Sequence, residues 1–505
     1  MKKAFVAICI LALLGMVGWK LTENFRKEKD RANRIVATSD AAKIKHQITI
    51  MGDEWLGYLI FRSPEFYEKL AEKEIGARFV MEPDFRKRFD AMAAGKCDIA
   101  CATIDSFLVN ARESNYPGVI LFGIDESYGG DALLVNETKI KSLDDLKNPE
   151  LKGAFVGFSP SEFLLKSQIS HFGIEALLPN IDTMRTNDAD AAYQKFSAGE
   201  VDFAVLWEPL VSRALENIPE SKRLIDTKAA RGIVIDVAIA SRDLVAQNPE
   251  IAQEVTNAYF ESLQFYLNNQ EAFKNLAKND SGESKENAEA MLAGIRFLDH
   301  NENSRNLRLA DSVSAITQIL IDVNDLTGDP LNGNPRTVLN STFLSNVNLA
   351  FSTPNAGNPD PLAAKGGQRY FRKLSAADWE RLSENITGTL LEKPVIFGTG
   401  QATIPEEFEA DLHRACAKMI HYPNHRVIVQ AHVSPGSDPA VDLELSQQRA
   451  NAIRTLLVEK CGVNSERILA VGKGGAEPVV KEEGEGLRAW KRRCRRARIF
   501  IAEDT

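Results

Sequence analysis

The sequence predicts an α/β two-lobed module followed by a small α+β domain, and three observations lead there. First, FDAMAAGKCDIACA at 89–102 recurs in altered form as YQKFSAGEVDFAVL at 193–206. Both copies start on an aromatic residue, carry Ala94-Gly95 or Ala198-Gly199, and place Asp98 or Asp202 three residues after the glycine. Each copy reads as a helix ended by glycine, a short turn and a buried strand. Second, strands alternate with helices to about residue 245, the grammar of βαβ units and mostly parallel sheets. Third, composition changes at 351–368, FSTPNAGNPDPLAAKGGQ, which is rich in Pro, Gly and Asn and lacks apolar periodicity. Such a stretch is a linker. Two similar lobes imply a crevice between them, and a crevice is where a small molecule binds.

At 505 residues the chain is too long for one core. With 44% hydrophobic and 26% charged residues it has an ordinary globular composition, and a net charge of -9 gives no support for nucleic acid as partner. Residues 1–22 stand apart: Lys2-Lys3 precede an apolar run from Ala4 to Trp19, closed by Lys20, the pattern of an export signal. Cleavage and retention as a membrane anchor both stay open. No convincing small-residue cleavage site follows Trp19, yet sixteen apolar residues are short for a span.

The elements follow in order. HQITIMGDEWLGYLIF at 46–61 passes from alternating apolar residues into an aromatic-rich helix. The same grammar returns at LKGAFVGFSPSEFLLKSQI, where Ser159 caps a helix and Pro160 opens it. Residues 247–350 are mainly helical in pattern. After a linker assigned to 351–385, a compact domain at 386–505 reads strand, helix, strand, helix, strand and final strand. Cys97 and Cys101 are too far apart in an extended strand to pair. Cys416, Cys461 and Cys494 allow one bridge, whose partners the sequence does not choose.

GDEWLGY at 52–58, GKCDIA at 95–100, SLDDLK at 142–147, VGFSPSEFLL at 156–165 and GEVDFAVLWEPLV at 199–211 together resemble the type II periplasmic solute-binding proteins. The similarity is to the sulfonate, taurine, nitrate and thiamine-precursor receptors of ABC transporters, and it covers about 46–345 of a domain placed at 46–350. It implies two lobes joined by two hinge crossings, near Ser127–Asp131 and Arg231–Asp236, that close on a small polar molecule. Loops at the C-terminal ends of parallel strands collect ligands. They offer Trp55, Asp105, Ser106, Ser159, Ser161, Trp207 and Glu208 as ligand-binding residues. Helix starts with free N–H groups suit an anionic head, whereas Asp105 and Glu208 favour an amine. Trp207 either packs between the lobes or touches ligand. Asp98 and Asp202 are turn or capping residues.

AHVSPGSDPAVDLELSQQRANAI at 431–453, with GKGGAEP at 472–478 and RRCRRARIFI at 492–501, resembles the OmpA-like peptidoglycan-associated domain. The resemblance implies recognition of a stem peptide by an aspartate after Gly-His-Thr and by the arginine of LSxxRA. Arg449 is that arginine; with Leu445, Ile453 and Leu456 turned to the core, it is expected at the rim, gripping a carboxylate. The aspartate is missing, because Ser434 stands in its place, and Asp438 or Asp442 would have to reach in. Ser434, Asp438, Arg449 and Arg495 are the peptidoglycan-binding candidates. The basic run from Arg488 to Arg498 reads as a solvated strand end rather than a nucleic-acid site.

His413, His421, His425 and His432 cluster in sequence, but Pro423 breaks any shared helical face, so they read as surface imidazoles around a loop. No phosphate loop, nucleophile elbow or paired-carboxylate motif is present, and neither cofactor, metal nor enzymatic activity is expected. The expected function is an envelope receptor that captures a small polar or anionic molecule by hinge closure, serves an inner-membrane ABC permease and is tethered to peptidoglycan. The alternative is a sensor or structural protein whose ligand-bound state signals to a membrane partner without transport. Its expected place is the periplasm or cell envelope.

Overall fold

A computed structural model describes residues 44–306, 309–347, 349, 371–391, 393–436 and 438–504. The N-terminal apolar segment and the Pro/Gly/Asn-rich stretch at 351–368 lie outside the described residues. Among those described, no helix is long and apolar enough to cross a membrane.

The N-terminal module contains two sheets. Lobe 1 has strands β1 (His46–Gly52), β2 (Ile75–Met81), β3 (Ile99–Thr103), β4 (Gly118–Ser127), β10 (Ile235–Ser241) and β11 (Ile295–Phe297), in the order β11-β4-β10-β3-β1-β2. Lobe 2 has β5 (Asp131–Asn136), β6 (Gly153–Val156), β7 (Arg185–Thr186), β8 (Phe203–Trp207) and β9 (Ser221–Asp226), in the order β7-β6-β8-β5-β9. The chain passes between the sheets from β4 to β5 and from β9 to β10, where the two hinge crossings were expected. The central strands are mainly apolar because helices cover their faces, and every residue of β3, β4 and β10 is buried.

The internal repeat is scaffold. Gly95 and Gly199 close their helices with φ of +68° and +69°, a backbone that glycine adopts without penalty. Asp98 accepts the Thr49 N–H at 2.7 Å and Asp202 accepts the Lys152 N–H at 2.9 Å. Each aspartate thereby ties the start of its strand to the neighbouring strand's chain.

A helix at Leu309–Asp322 was expected only as part of a helical tail, and it does more. It packs against the lobe 1 helix Ile104–Asn110 and the lobe 2 helix Pro160–Phe172, burying Val313, Ile316, Ile319 and Leu320. Beyond it, Asp325 meets Lys166 of lobe 2 at 2.5 Å, and the Asn340 N–H donates to the Ile120 carbonyl of lobe 1. The segment therefore straddles the crevice.

The C-terminal domain has β12 (Gly388–Thr389), β13 (Val395–Ile396), β14 (His425–Ala431), β15 (Ile468–Gly472) and β16 (Arg496–Glu503), in the order β12-β16-β14-β15 with β13 beside β16. Helices Glu409–Met419, Pro439–Glu459 and Leu487–Cys494 complete it. Residues 371–385, assigned to the linker, belong to this domain. Their Phe371 and Trp379 rings lie 5.1 and 5.3 Å from the buried Arg426 guanidinium, and the helix Ala376–Glu384 packs on β16. Cys416 pairs with Cys461, leaving Cys494 buried and free.

This domain is docked on the first module. The Arg231 N–H donates to the His421 carbonyl at 2.6 Å, and His421 Nδ1 lies 2.8 Å from the Arg231 carbonyl. Tyr422 Oη contacts His171 Nδ1 and donates to Gln168, while Lys418 Nζ donates to the Ser170 and His171 carbonyls. Of the clustered histidines only His413 is an exposed imidazole: His425 and His432 are buried and His421 lies in this junction.

Candidate functional site

The crevice is built from strand ends. In lobe 1, β3, β10 and β4 are neighbours, and their register sets Thr103 opposite Asp236 and Asp236 opposite Asp125. Asp105 follows two residues after Thr103, in the first turn of the Ile104–Asn110 helix. In lobe 2, Asp131 pairs with Trp207 across β5 and β8, and the Glu208 N–H donates to the Gly130 carbonyl.

The predicted ligand residues fall into two groups. Asp105, Ser106 and Ser159 line one pocket of about 20 Å³ together with Phe158, Glu162, Lys166 and Asp325. That is space for about one water molecule. Trp55, Trp207 and Glu208 gather instead at the hinge. Trp55 Nε1 lies 3.3 Å from Asp125 Oδ1, and the indole edge abuts Gly130, where a Cβ would come within 2.8 Å of it. Ser161 joins neither group; it is fully buried inside its helix and its hydroxyl is unpartnered.

Several of these side chains are already engaged. Ser159 Oγ donates to the Val156 carbonyl and accepts the Ser161 N–H, the work of a cap. Glu208 accepts both the Ser212 N–H and its hydroxyl. Ser106 accepts from the Thr103 hydroxyl at 2.8 Å. Asp105 differs: it is 4% exposed and its Oδ1 has no partner. Burial pushes its carboxyl up to about 7.

Sequence reasoning missed the other carboxyls. Asp125 and Asp236 are buried and raised, first by burial; Asp131 and Glu126 add to the rise of Asp125, and Asp125 adds to that of Asp236. Asp236 accepts from Tyr58 Oη. Burial lifts Asp131 to about 6, with Glu208 adding to the rise. A signal existed, since Asp125 and Asp236 interrupt otherwise apolar strands, where an acid is costly without a purpose. Glu162, Lys166 and Asp325 form a second missed set: Lys166 Nζ lies 2.5 Å from both carboxylates, and Arg185 grips Glu162 with two N–H groups.

In the C-terminal domain Arg449 is not at the rim. It lies on the buried helix face with Ser446, Ala450, Ile453 and Leu457, while Leu445 and Leu456 are half-buried. Its guanidinium donates to the carbonyls of Gln401, His432 and Gly398 at 2.8–2.9 Å. Burial of a cation is tolerated because those carbonyls satisfy it, and burial with nearby Arg495 brings it down to about 10. Arg495 donates to the Phe397 carbonyl. Ser434 is half-buried, two residues beyond His432, and exposed Asp438 caps its helix by accepting the Ala440 N–H. Buried Asp442 approaches the Pro435–Gly475 contact, its Oδ2 being 3.3 Å from where a Gly475 Cβ would sit.

Residues 70–273 match the NMT1/THI5 like family, and residues 396–492 match the OmpA family. The chain joins an NMT1/THI5-like domain to an OmpA domain. Over 99 residues it is 33% identical to outer membrane porin F of Pseudomonas aeruginosa, a stretch that is 20% of this chain and 28% of that one. Over 118 residues it is 30% identical to the peptidoglycan-binding protein ArfA of Mycobacterium tuberculosis, covering 23% of this chain and 34% of that one. The chain thus spans about a third or less of the length of these curated relatives, and the match lies in the OmpA domain. The periplasmic aliphatic sulphonate binding protein SsuA of Escherichia coli superimposes with a TM-score of 0.45 at 18% identity, over 58% of this chain and 98% of that chain. Among the described residues, no group of three His, Cys, Asp or Glu side chains is placed to hold a metal ion.

Proposed function

We propose that the chain is a cell-envelope receptor whose NMT1/THI5-like domain captures a small polar molecule by closure of its two lobes, and whose OmpA domain holds it to peptidoglycan. The observation that carries this reading is the pair of crossings between two sheets, which brings Asp105 of one lobe and Ser159 of the other into one pocket. Ligand shifts the balance between open and closed forms by its differential affinity for the closed form. The role is binding rather than catalysis, and the closed receptor is presented to an inner-membrane permease.

A titration calorimetry panel of sulfonates, nitrate, amines and pyrimidines against the full-length chain tests it. Binding of any member with compaction in small-angle scattering supports the receptor; silence across the panel removes it. Retention on purified peptidoglycan tests the tether separately.

A sensing role without transport is the second reading, and one observation favours it. His421 of the OmpA domain exchanges two hydrogen bonds with Arg231, a residue of the β9–β10 crossing. Lobe movement at that crossing then has a direct route into the OmpA domain.

A further inference from the structure

We propose that the crevice takes a cation, a small molecule with an ammonium or guanidinium head, and not the anionic head that its helix starts suggest. The inference rests on the receptor reading and names the ligand class for the same site.

Carboxyl groups approach the crevice from both lobes. Asp105, Asp125 and Asp236 come from adjacent strands of lobe 1, and Asp131 and Glu208 from neighbouring strands of lobe 2. The cations beside them are matched already. Arg88 pairs with Asp53 at 2.6 Å, Arg231 with Glu126 at 2.8 Å, and Lys166 sits between Glu162 and Asp325.

The places for an oxyanion are also taken. At the start of the Pro160–Phe172 helix, the Phe158 N–H donates to Glu162 Oε2 at 2.8 Å and the Ser161 N–H to Ser159 Oγ. The chain's own carboxylate thus occupies the position that a helix start offers to a sulfonate or nitrate. The opposing Ile104–Asn110 helix has only seven residues and carries Asp105 in its first turn, which repels an anion.

Two carboxylate oxygens remain without a donor. Asp105 Oδ1 and Asp125 Oδ2 are buried acceptors with no partner, and Asp105 lines the pocket. An acceptor held out of water is satisfied by an N–H, and best by a charged one. Trp55 sets an aromatic ring beside Asp125, a further feature suited to a cation. The raised carboxyls agree with this: burial disfavours the ionised form of Asp105 and Asp125, and an incoming cation favours it.

The test is thermal shift and titration calorimetry on the full-length chain with putrescine, agmatine and choline against ethanesulfonate and nitrate. Binding of at least one cation, tighter than both anions, is expected. If an anion binds more tightly than every cation, the receptor stands and the cation inference falls. If no probe binds, the cation inference falls, and the receptor reading stands or falls by the wider panel that includes pyrimidines. Asp105→Asn is expected to raise the melting point of the free chain, by removing a buried acid, and to weaken cation binding at least tenfold. Unchanged affinity in both Asp105→Asn and Asp131→Asn would overturn the assignment; having both variants guards against one failing to fold.

Discussion

His171 of the NMT1/THI5-like domain and His421 of the OmpA domain stack on one another, ring centroids 5.2 Å apart and planes 23° from parallel. Burial lowers both imidazoles; His421 and Lys418 lower His171 further, while Glu126 and the Arg231 carbonyl partly oppose the fall for His421. Tyr422 and His425 complete the surroundings without adding a carboxylate. A base whose value is depressed on burial favours the packed form when neutral. Docking is therefore fully stabilised above the ordinary histidine value of about 6.5 and weakens as pH falls below it. Hydrogen exchange across residues 418–425 should show protection lost between pH 7.5 and 5. His171→Phe should flatten that dependence.

Glu126 predicts the opposite kind of group. Burial alone would raise its carboxyl, but hydrogen-bonded Arg231, Arg296 and the Gly232 N–H bring it down to about 2. The stabilisation is present above the ordinary glutamate value of about 4.3 and is lost as pH falls through about 2. Glu126→Gln leaves two buried guanidiniums short of charge and should cost about 3 kcal/mol, read by denaturant melts at pH 7. Loss of less than 1 kcal/mol would mean that the cluster does not hold the hinge.

Arg449→Ala removes three charge-assisted hydrogen bonds from the base of the OmpA domain's β14 loop and should destabilise that domain by roughly 3 kcal/mol. Weak peptidoglycan retention in that variant would report unfolding as much as lost contact. Ser434→Asp is the cleaner probe. It restores a carboxylate beside the His432–Arg449 bond, and retention on peptidoglycan in sedimentation assays should rise above that of the natural chain.

Cys416 and Cys461 close a loop with a sequence separation of 45. Constraining a loop of that length stabilises by about 4 kcal/mol in the chain-entropy account. Reduction, or Cys416→Ser, should lower the melting transition of the OmpA domain and leave that of the NMT1/THI5-like domain in place. Joint loss of both transitions would show that docking makes them one cooperative unit.

Local signals carried most of the fold. The repeated glycine stops marked β3 and β8, and Ser159-Pro160 marked a helix start, because caps and left-handed turns are written in two or three residues. The two crossings came from the family resemblance, and the positions of Asp105 and Trp55 from the loops at strand ends. Contacts between distant segments were not legible. Lys166 and Asp325 are 159 residues apart, and His421 and Arg231 are 190 apart, and no periodicity encodes such pairs. Arg449 was misplaced for a related reason. Helical spacing assigns a face by apolarity, whereas three carbonyls from two loops drew a charged side chain inward.

Strand β14 runs seven residues from His425 to Ala431. One end abuts Tyr422 and His421 in the junction; the other leads to His432 and Arg449. At about 3.3 Å per residue the ends are separated by ~20 Å of paired, buried strand. A rope would leave the crevice free to tumble, but a short beam fixed at one end sets its heading. Whatever grips the loop after Ala431 therefore decides which way the mouth of the crevice points.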